Sequence, residues 1–357
     1  MTIAFAGGGT LGPVTPLIAV AKRIQETNDP VRIIWFGTPD GPERGVVMQE
    51  GFTFYPITVA KLSRHVDAKL MSLPFDYFRA HREARALLKK ERPDVVVTAG
   101  GFTGVPVIKE AAKLGIPCVM HQLDFVPGLS NKIIAKYCTS VTTSFAYEVA
   151  PFSVTSMQIA TPTRFQEHEL PARQVAANFF GLDALQPIVF VMGGGTGAAA
   201  LNENIAHHLN KWLSFTQIIH VTGKGKEIKL DSMPTGYVQA PFFDMNEMRH
   251  AYAAADVIVT RAGIGALSEI SSLSKAAILV PIPHNQQEEN ALAFHRAKAG
   301  LYLKQQQNEF HTLLPAVAKP LVMDRVERER LGRAAHAYFL TDDGHALMDH
   351  VLGAISR

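Results

Sequence analysis

Three glycine-rich runs stand where a β-rich segment gives way to a helical one: GGGTLGP at Gly7 to Pro13, AGGFTGVP at Ala99 to Pro106 and GGGTGAAALN at Gly193 to Asn202. A glycine turn between strand and helix lets backbone N–H groups approach a phosphate closely, and the helix dipole favours the negative charge, so each run is a potential anion cradle. A single run of this kind also serves as an ordinary tight turn; their repetition on one chain points to a phosphate-bearing ligand. Two familiar phosphate chemistries are disfavoured. VTGKGKEI around Gly223 has neither the spacing of a P-loop nor the Ser or Thr after its lysine, and neither Gly7 to Gly12 nor Gly193 to Gly197 completes the GxGxxG fingerprint of a dehydrogenase.

The side chains that could complete such a ligand site gather in the second half. In RAGIGALSEISS, Arg261 closes a strand, Gly263 and Gly265 turn the chain, and Glu269 lies on the following helix, where a carboxylate can accept both hydroxyls of a ribose; the alternative is an acid placed by the helix dipole. In VPIPHNQQEENA, Gln286, Gln287 and Asn290 begin another helix, and amides that donate and accept together suit the vicinal hydroxyls of a sugar. Arg164, in ATPTRF, is a cation able to neutralise a diphosphate, or simply a surface arginine. No Asp-x-Asp element occurs, and the paired Asp342 and Asp343 lie near the end, so no metal and no cofactor are expected.

The elements that must position these groups follow one pattern, short β-rich runs alternating with amphipathic helices, which is the signature of parallel sheets built by βαβ crossovers. It occurs twice. Strands are expected at Ile3 to Ala6, Arg32 to Phe36, Val95 to Thr98, Cys118 to His121 and Ser140 to Thr143, then at Ile188 to Met192, Ile218 to Val221, Tyr237 to Gln239, Val257 to Thr260 and Ala277 to Val280. A chain of 357 residues exceeds what one core serves, and the polar, proline-bearing stretch Ala160 to Arg173 reads as the linker. The expected domains are residues 1–162 and 163–340, with a C-terminal helix at 341–357; the last helical stretch, from Asp324 to Ser356, either caps the second domain or returns to the first.

The formal charge of +3 excludes a broad nucleic-acid surface. One local cluster, from Lys61 to Lys90, interleaves Arg64, Lys69, Arg79, Arg82, Arg85 and Lys89 with Leu70, Phe75, Tyr77 and Phe78. It reads either as a solvated helix face or as a patch for anionic lipid. Cys118 and Cys138 lie in apolar settings, which disfavours a disulfide framework and suggests a reducing compartment, and no apolar run is long enough to span a membrane.

Taken together, the three loops, RAGIGALSE, the glutamine pair with Asn290, FGT at Phe36 to Thr38, HQLDFVPGLSN at His121 to Asn131, TPTR at Thr161 to Arg164 and HVTGKG at His220 to Gly225 resemble the MurG family over about Ile3 to Lys304. That family transfers N-acetylglucosamine to the lipid-linked muramyl peptide precursor of peptidoglycan. The resemblance implies an α/β chain of the GT-B fold, two Rossmann-like, doubly wound parallel-sheet domains facing a central cleft, with the lipid acceptor on the first and UDP-N-acetylglucosamine on the second. It places Gly194, Gly195, Thr196 and Arg164 at the diphosphate, Glu269 at the ribose, Gln286, Gln287 and Asn290 at the sugar, and Phe243 or Met245 near the uracil. On the acceptor side it implies Thr10, Gly12, Gly100, Gly101, Phe102 and Asn131, and a peripheral position on the cytoplasmic face of the membrane.

This chain departs from the family at two places. The family's first loop reads GGTGGH, whereas here the aligned run is GGTLGP, ending at Pro13, which accepts no proton; the family's HEQN becomes His121, Gln122, Leu123 and Asp124. The implied reaction is an inverting displacement with Asp124 or His121 as base. Each has a structural alternative, a hydrogen-bonded histidine at a strand end and a helix-capping aspartate. Two other functions fit the same residues: another lipid-acceptor UDP-glycosyltransferase of this fold, or a catalytically weakened protein that binds nucleotide sugars.

Overall fold

The computed structural model describes residues 1–27, 30–59, 73–194, 198–305 and 310–355. The chain divides into two compact units, Met1–Pro162 with Asp342–Arg357, and Thr163–Thr341.

The first unit runs β1 (Thr2–Ala6), α1 (Val14–Gln25), β2 (Arg32–Gly37), α2 (Pro42–Gln49), β3 (Thr53–Pro56), α3 (Leu73–Glu91), β4 (Val95–Thr98), α4 (Gly104–Lys113), β5 (Cys118–Gln122), α5 (Leu129–Ala135), β6 (Ser140–Thr143), β7 (Ser156–Gln158) and β8 (Thr161–Pro162). Its main sheet has the order β3-β2-β1-β4-β5-β6-β7 with parallel neighbours throughout. The central strands VVVT and CVMHQ are buried at every residue, as strands covered on both faces must be. Helices α3 and α4 bury Ala80, Ala84, Leu88, Val107 and Ala111 against them. Trp35 stacks on Phe5 and donates its indole N–H to the Gly7 carbonyl at 2.9 Å, so the first glycine loop leaves β1 from a fixed point.

The second unit runs α6 (Arg173–Phe179), β9 (Ile188–Met192), α7 (Ala199–Leu213), β10 (Gln217–Val221), β11 (Tyr237–Ala240), α8 (Met245–Ala254), β12 (Val257–Thr260), α9 (Ile264–Ser272), β13 (Ala276–Leu279), α10 (Gln286–Arg296), β14 (Leu301–Tyr302), α11 (Phe310–Met323) and α12 (Arg325–Tyr338). Its sheet has the order β11-β10-β9-β12-β13-β14, again parallel. A second core forms on it, where Val189, Val191, Val257 and Ile278 meet Leu201, Ile205 and Trp212 of α7 and Leu314 and Leu321 of α11.

The expected terminal helical stretch is two helices, divided after Phe339. The last of them, α13 (His345–Ile355), returns to the first unit and packs on α1, β4 and β5. Arg23 of α1 holds its start through Asp343 at 2.7 Å, and Ser140 of β6 meets His350.

Each sheet has one place where successive crossovers leave in opposite directions, between β1 and β4 in the first unit and between β9 and β12 in the second. In open parallel sheets, ligands bind outside the carboxyl ends of the strands at that reversal. The glycine runs lie there: Gly7 follows β1, Ala99 follows β4 and Gly193 follows β9.

Candidate functional site

In the second unit, the reversal between β9 and β12 brings Arg164, Met245 and Glu269 together. Glu269 lies on the buried side of α9 with 2% of its surface exposed. Its Oε1 accepts from Arg164 Nε at 2.7 Å and pairs with Nη2 at 2.5 Å, while its Oε2 accepts from the Tyr252 hydroxyl at 2.5 Å. Burial, reinforced by the neighbouring carboxylate, pushes the Tyr252 phenol well above its ordinary pKa, which keeps it a proton donor at neutral pH. The Arg164 side chain is 43% exposed and its Nη1 lies 4.0 Å from Met245 Sδ. A buried acid thus stands beneath an exposed guanidinium, and a diol or an anion arriving there competes for one or the other.

Met245 is the first residue of α8, and a capping box fixes that end: Asp244 Oδ1 accepts from Glu247 N at 2.8 Å and Glu247 Oε2 from Asp244 N at 2.7 Å. Tyr252 lies seven residues after Met245, two helical turns along one face, so both meet the Arg164–Glu269 pair. Phe243 is different: it is 5% exposed and stacks between Phe180 and Phe190, so it belongs to the core, and its neighbour Phe242, 70% exposed, faces outward in its place.

Of the third glycine run, Gly193 and the exposed Gly194 lead out of β9, whereas Gly195 and Thr196 lie outside the described residues. Beside the β12 loop, α10 starts with Asn285 capping Gln287 N at 3.2 Å, which leaves Gln286 exposed and Gln287 half-buried near Gly263. Asn290 does not face out with them. It is fully buried and donates to the Ala262 carbonyl at 3.1 Å, so it braces α10 against the β12 loop. Arg261 is likewise a brace, donating to the Val280 carbonyl at 2.8 Å and to Gln305 Oε1 at 2.7 Å.

In the first unit, the two glycine runs meet. Gly9 has φ +84, a conformation costly for other residues, and a Cβ on it would collide with the Phe102 ring, so the β1 and β4 loops interlock there. From Phe102 a chain of polar contacts runs across the strand ends. Gly101 N donates to Asn131 Oδ1 at 3.4 Å, Asn131 Nδ2 to Gln122 Oε1 at 2.7 Å, and Gln122 Nε2 to the Asp124 carbonyl at 2.6 Å. Gly100, Gly101, Phe102, Asn131 and Asp124 therefore share one edge. Thr10 and Gly12 are exposed on the loop leading to Pro13, the residue from which α1 starts.

His121 requires a correction. It is wholly buried, Thr142 Oγ1 lies 2.9 Å from its Nδ1 and Ser144 Oγ lies 3.1 Å from its Nε2. Burial, with a smaller push from His350, lowers its pKa to about 3. An imidazole with both nitrogens engaged inside the sheet cannot take a proton from a ligand, so it is a core histidine. Asp124, half-buried and two residues beyond the end of β5, joins this edge through its backbone carbonyl.

Three residues that hold these networks were not marked as site residues in the sequence: Tyr252, Gln122 and Glu43, whose Oε2 accepts from Gly9 N at 3.1 Å. Tyr252 could have been found from its helical spacing to Met245. Gln122 carried its signal in the HQLD run, whereas Glu43 had only its place just after FGT.

Residues 3–143 match the glycosyltransferase family 28 N-terminal domain, and residues 188–338 the glycosyltransferase family 28 C-terminal domain. A protein of Lachnoclostridium phytofermentans named UDP-N-acetylglucosamine--N-acetylmuramyl-(pentapeptide) pyrophosphoryl-undecaprenol N-acetylglucosamine transferase is 33% identical over 88% of this chain and 89% of its own. One of the same name from Paenarthrobacter aurescens is 32% identical over 100% and 97%. Among solved structures, MurG of Acinetobacter baumannii aligns with a TM-score of 0.75 at 23% identity, covering 99% of each chain. The glycosyltransferase of kitacinnamycin aligns at 0.71 and 16% identity, covering 99% of this chain and 98% of its own. These likenesses establish the fold as GT-B. The chain belongs to glycosyltransferase family 28 and, within it, to the MurG family.

Proposed function

We propose that this protein transfers N-acetylglucosamine from UDP-N-acetylglucosamine to a polyprenyl-diphosphate-linked muramyl pentapeptide, with inversion at the anomeric carbon. The observation that carries this reading is the Arg164–Glu269–Tyr252 cluster at the end of β9, because it pairs a diol acceptor with a half-exposed cation at one strand reversal. Arg164 pairs with Glu269 at 2.7 Å. A ribose whose hydroxyls donate to Glu269 displaces the guanidinium, and the released cation is then available to the diphosphate. Met245 lies at the base end, and Gln286 and Gln287 at the sugar.

In this reading the first unit holds the acceptor. The acceptor hydroxyl attacks the anomeric carbon, its proton passes to the Asp124 carboxylate, and the bond from that carbon to the diphosphate oxygen breaks with its electron pair leaving on UDP. Loop amides and Arg164 stabilise the departing charge. General-base assistance is typically worth about 10² to 10⁴ in rate.

The acceptor's lipid calls for a membrane surface, and α3 offers one face for it. Phe75 and Phe78 are 81% and 71% exposed. Arg82 and Arg85 continue their stripe at helical spacing, and Lys109 of α4 donates to Tyr77 at 2.7 Å beside them. Exposed aromatics flanked by cations suit the headgroup region of anionic lipid on the cytoplasmic face. The part of the basic cluster from Lys61 to Met71 lies outside the described residues, among which no helix is long and apolar enough to cross a membrane.

The test is transfer of labelled N-acetylglucosamine to a lipid-linked muramyl pentapeptide on anionic vesicles. Product formation, reduced at least 100-fold by Asp124→Asn with UDP affinity retained, supports the proposal; no product from folded, UDP-binding protein overturns it. A second reading, transfer to a different lipid acceptor, is favoured by Pro13 and by Gln122, Leu123 and Asp124 after His121, which leave the acceptor edge unlike the family pattern. It would show as faster transfer to another polyprenyl or glycerolipid acceptor in direct competition.

A further inference from the structure

Glu43 is a carboxylate with no exposed surface, placed in the first turn of α2, and among the described residues it has no cationic partner. What surrounds it is a set of donors. Its Oε1 accepts from Thr38 N at 2.7 Å and from Thr38 Oγ1 at 2.5 Å, and its Oε2 accepts from Gly9 N at 3.1 Å. The positive end of α2 supplies further compensation. The space is built around this group: a Cβ on Gly8 or on Gly41 would collide with the carboxylate.

Burying a charge without a counter-ion is costly, so the reason for an acid here must lie in what a neutral side chain would fail to do. All three partners donate. A carboxylate is acceptor-only and satisfies them with both oxygens, whereas a glutamine of the same shape would turn its amide N–H₂ toward one of the donors. Glu43 therefore ties the β1 loop to the end of β2. Through the contact of Gly9 with Phe102, the tie extends to the β4 loop and the Asn131–Gln122 chain. Beyond Gly9 the chain runs through exposed Thr10, Leu11 and Gly12 and is next fixed by Val14 N, which donates to the Leu11 carbonyl at 3.1 Å. The amides of Thr10, Leu11 and Gly12 make no internal hydrogen bond among the described residues.

From this geometry we infer that Glu43 is the positioning residue of the acceptor loop, pinning Gly9 so that the amides that follow it stand ready for the acceptor's anionic group. The inference rests on the reading that the first unit holds the acceptor. Glu43 touches no reacting atom; it acts through Gly9.

The experiment pairs two readouts on the full chain, amide hydrogen exchange of the segment from Gly7 to Leu11 and steady-state transfer with each substrate varied in turn. Glu43→Gln is expected to raise exchange of the Gly9 amide at least 30-fold and the acceptor KM at least 10-fold, with donor KM and UDP affinity within twofold of wild type. Thr38→Val removes the hydroxyl that helps hold Glu43 against Gly9 and so loosens the tie only in part, which serves where Glu43→Gln fails to fold; its Gly9 exchange and acceptor KM are expected to rise about threefold. Unchanged Gly9 exchange and acceptor KM in the folded variant overturn the inference, as does an equal rise in both KM values. A wild-type chain whose loop loosens on Glu43→Gln but which transfers to no muramyl acceptor sinks the proposed function instead.

Discussion

A buried histidine carries information about pH even when it does no chemistry. His121 in the first unit and His220 in the second are both held near a pKa of about 3 by burial, and each has its ring nitrogens engaged, His220 with Tyr237 at 2.9 Å and Asn202 at 3.1 Å. In the unfolded chain a histidine titrates near pH 6.5. Between those values the unfolded state binds protons that the native state refuses, so the stabilisation is complete above about pH 6.5 and is lost as pH falls toward 3. Each histidine is expected to cost its unit about 2 kcal/mol between pH 7 and pH 5. Urea midpoints across that range, with His121→Gln flattening the first unit's response, check this; midpoints insensitive to pH would contradict it. The burial of His121 was not legible because β5 is apolar and buried on both faces, so alternation could not tell an inward histidine from one at the ligand edge. Glu269 and Arg164 could be marked from residue type and position, whereas their mutual ion pair is a fact of folding.

Among the elements, α11 was the least legible. Pro315 and Pro320 lie inside it, and a proline within a helical pattern ordinarily ends the helix. The helix persists because its cost is met from a neighbour. Pro315 has no N–H for the His311 carbonyl four residues back, and Asn204 of α7 donates Nδ2 to that carbonyl at 2.9 Å while its Oδ1 accepts from Trp212 Nε1 at 3.2 Å. Asn204 is fully buried, so one amide satisfies two groups that would otherwise be left unpaired. Asn204→Ala is expected to destabilise the second unit by about 2 kcal/mol, a fall of about 4–8 °C in its Tm. Asn204→Asp, which can still accept from Trp212 but cannot donate to His311, should lose stability through the carbonyl and the added buried charge. A Tm unchanged in Asn204→Ala, read by calorimetry, would show that water replaces the amide. Central strands such as Val95–Thr98 and Ile188–Met192 were legible because a short β-rich run between a proline-bearing turn and a glycine run admits little else. The short edge strands β3, β7 and β14 were not, since four, three and two residues carry too little pattern.

At the scale of the molecule, each unit has its own sheet, its own core and its own strand reversal marked by glycine loops, and this repetition is what made the fold class readable from the sequence. The return of α13 to the first unit was not readable, because an amphipathic helix announces that it packs but not upon what. Separate cores have a thermodynamic consequence. A ligand stabilises the cooperative unit that holds it, by about 2.7 kcal/mol at 100 times its dissociation constant. If the proposed donor site is as described, UDP at that excess should slow exchange of the most protected amides of the second unit's strands, Ile188–Met192 and Val257–Thr260, about 100-fold, the factor that free energy represents. The strands Thr2–Ala6 and Val95–Thr98 of the first unit should change little. Glu269→Gln, which keeps the shape of the side chain but halves its acceptor capacity, should require about tenfold more UDP for the same protection. The decisive outcome is the distribution of the effect. Protection concentrated in the first unit would move the nucleotide to the wrong sheet, and protection spread equally over both would mean that the two cores unfold as one.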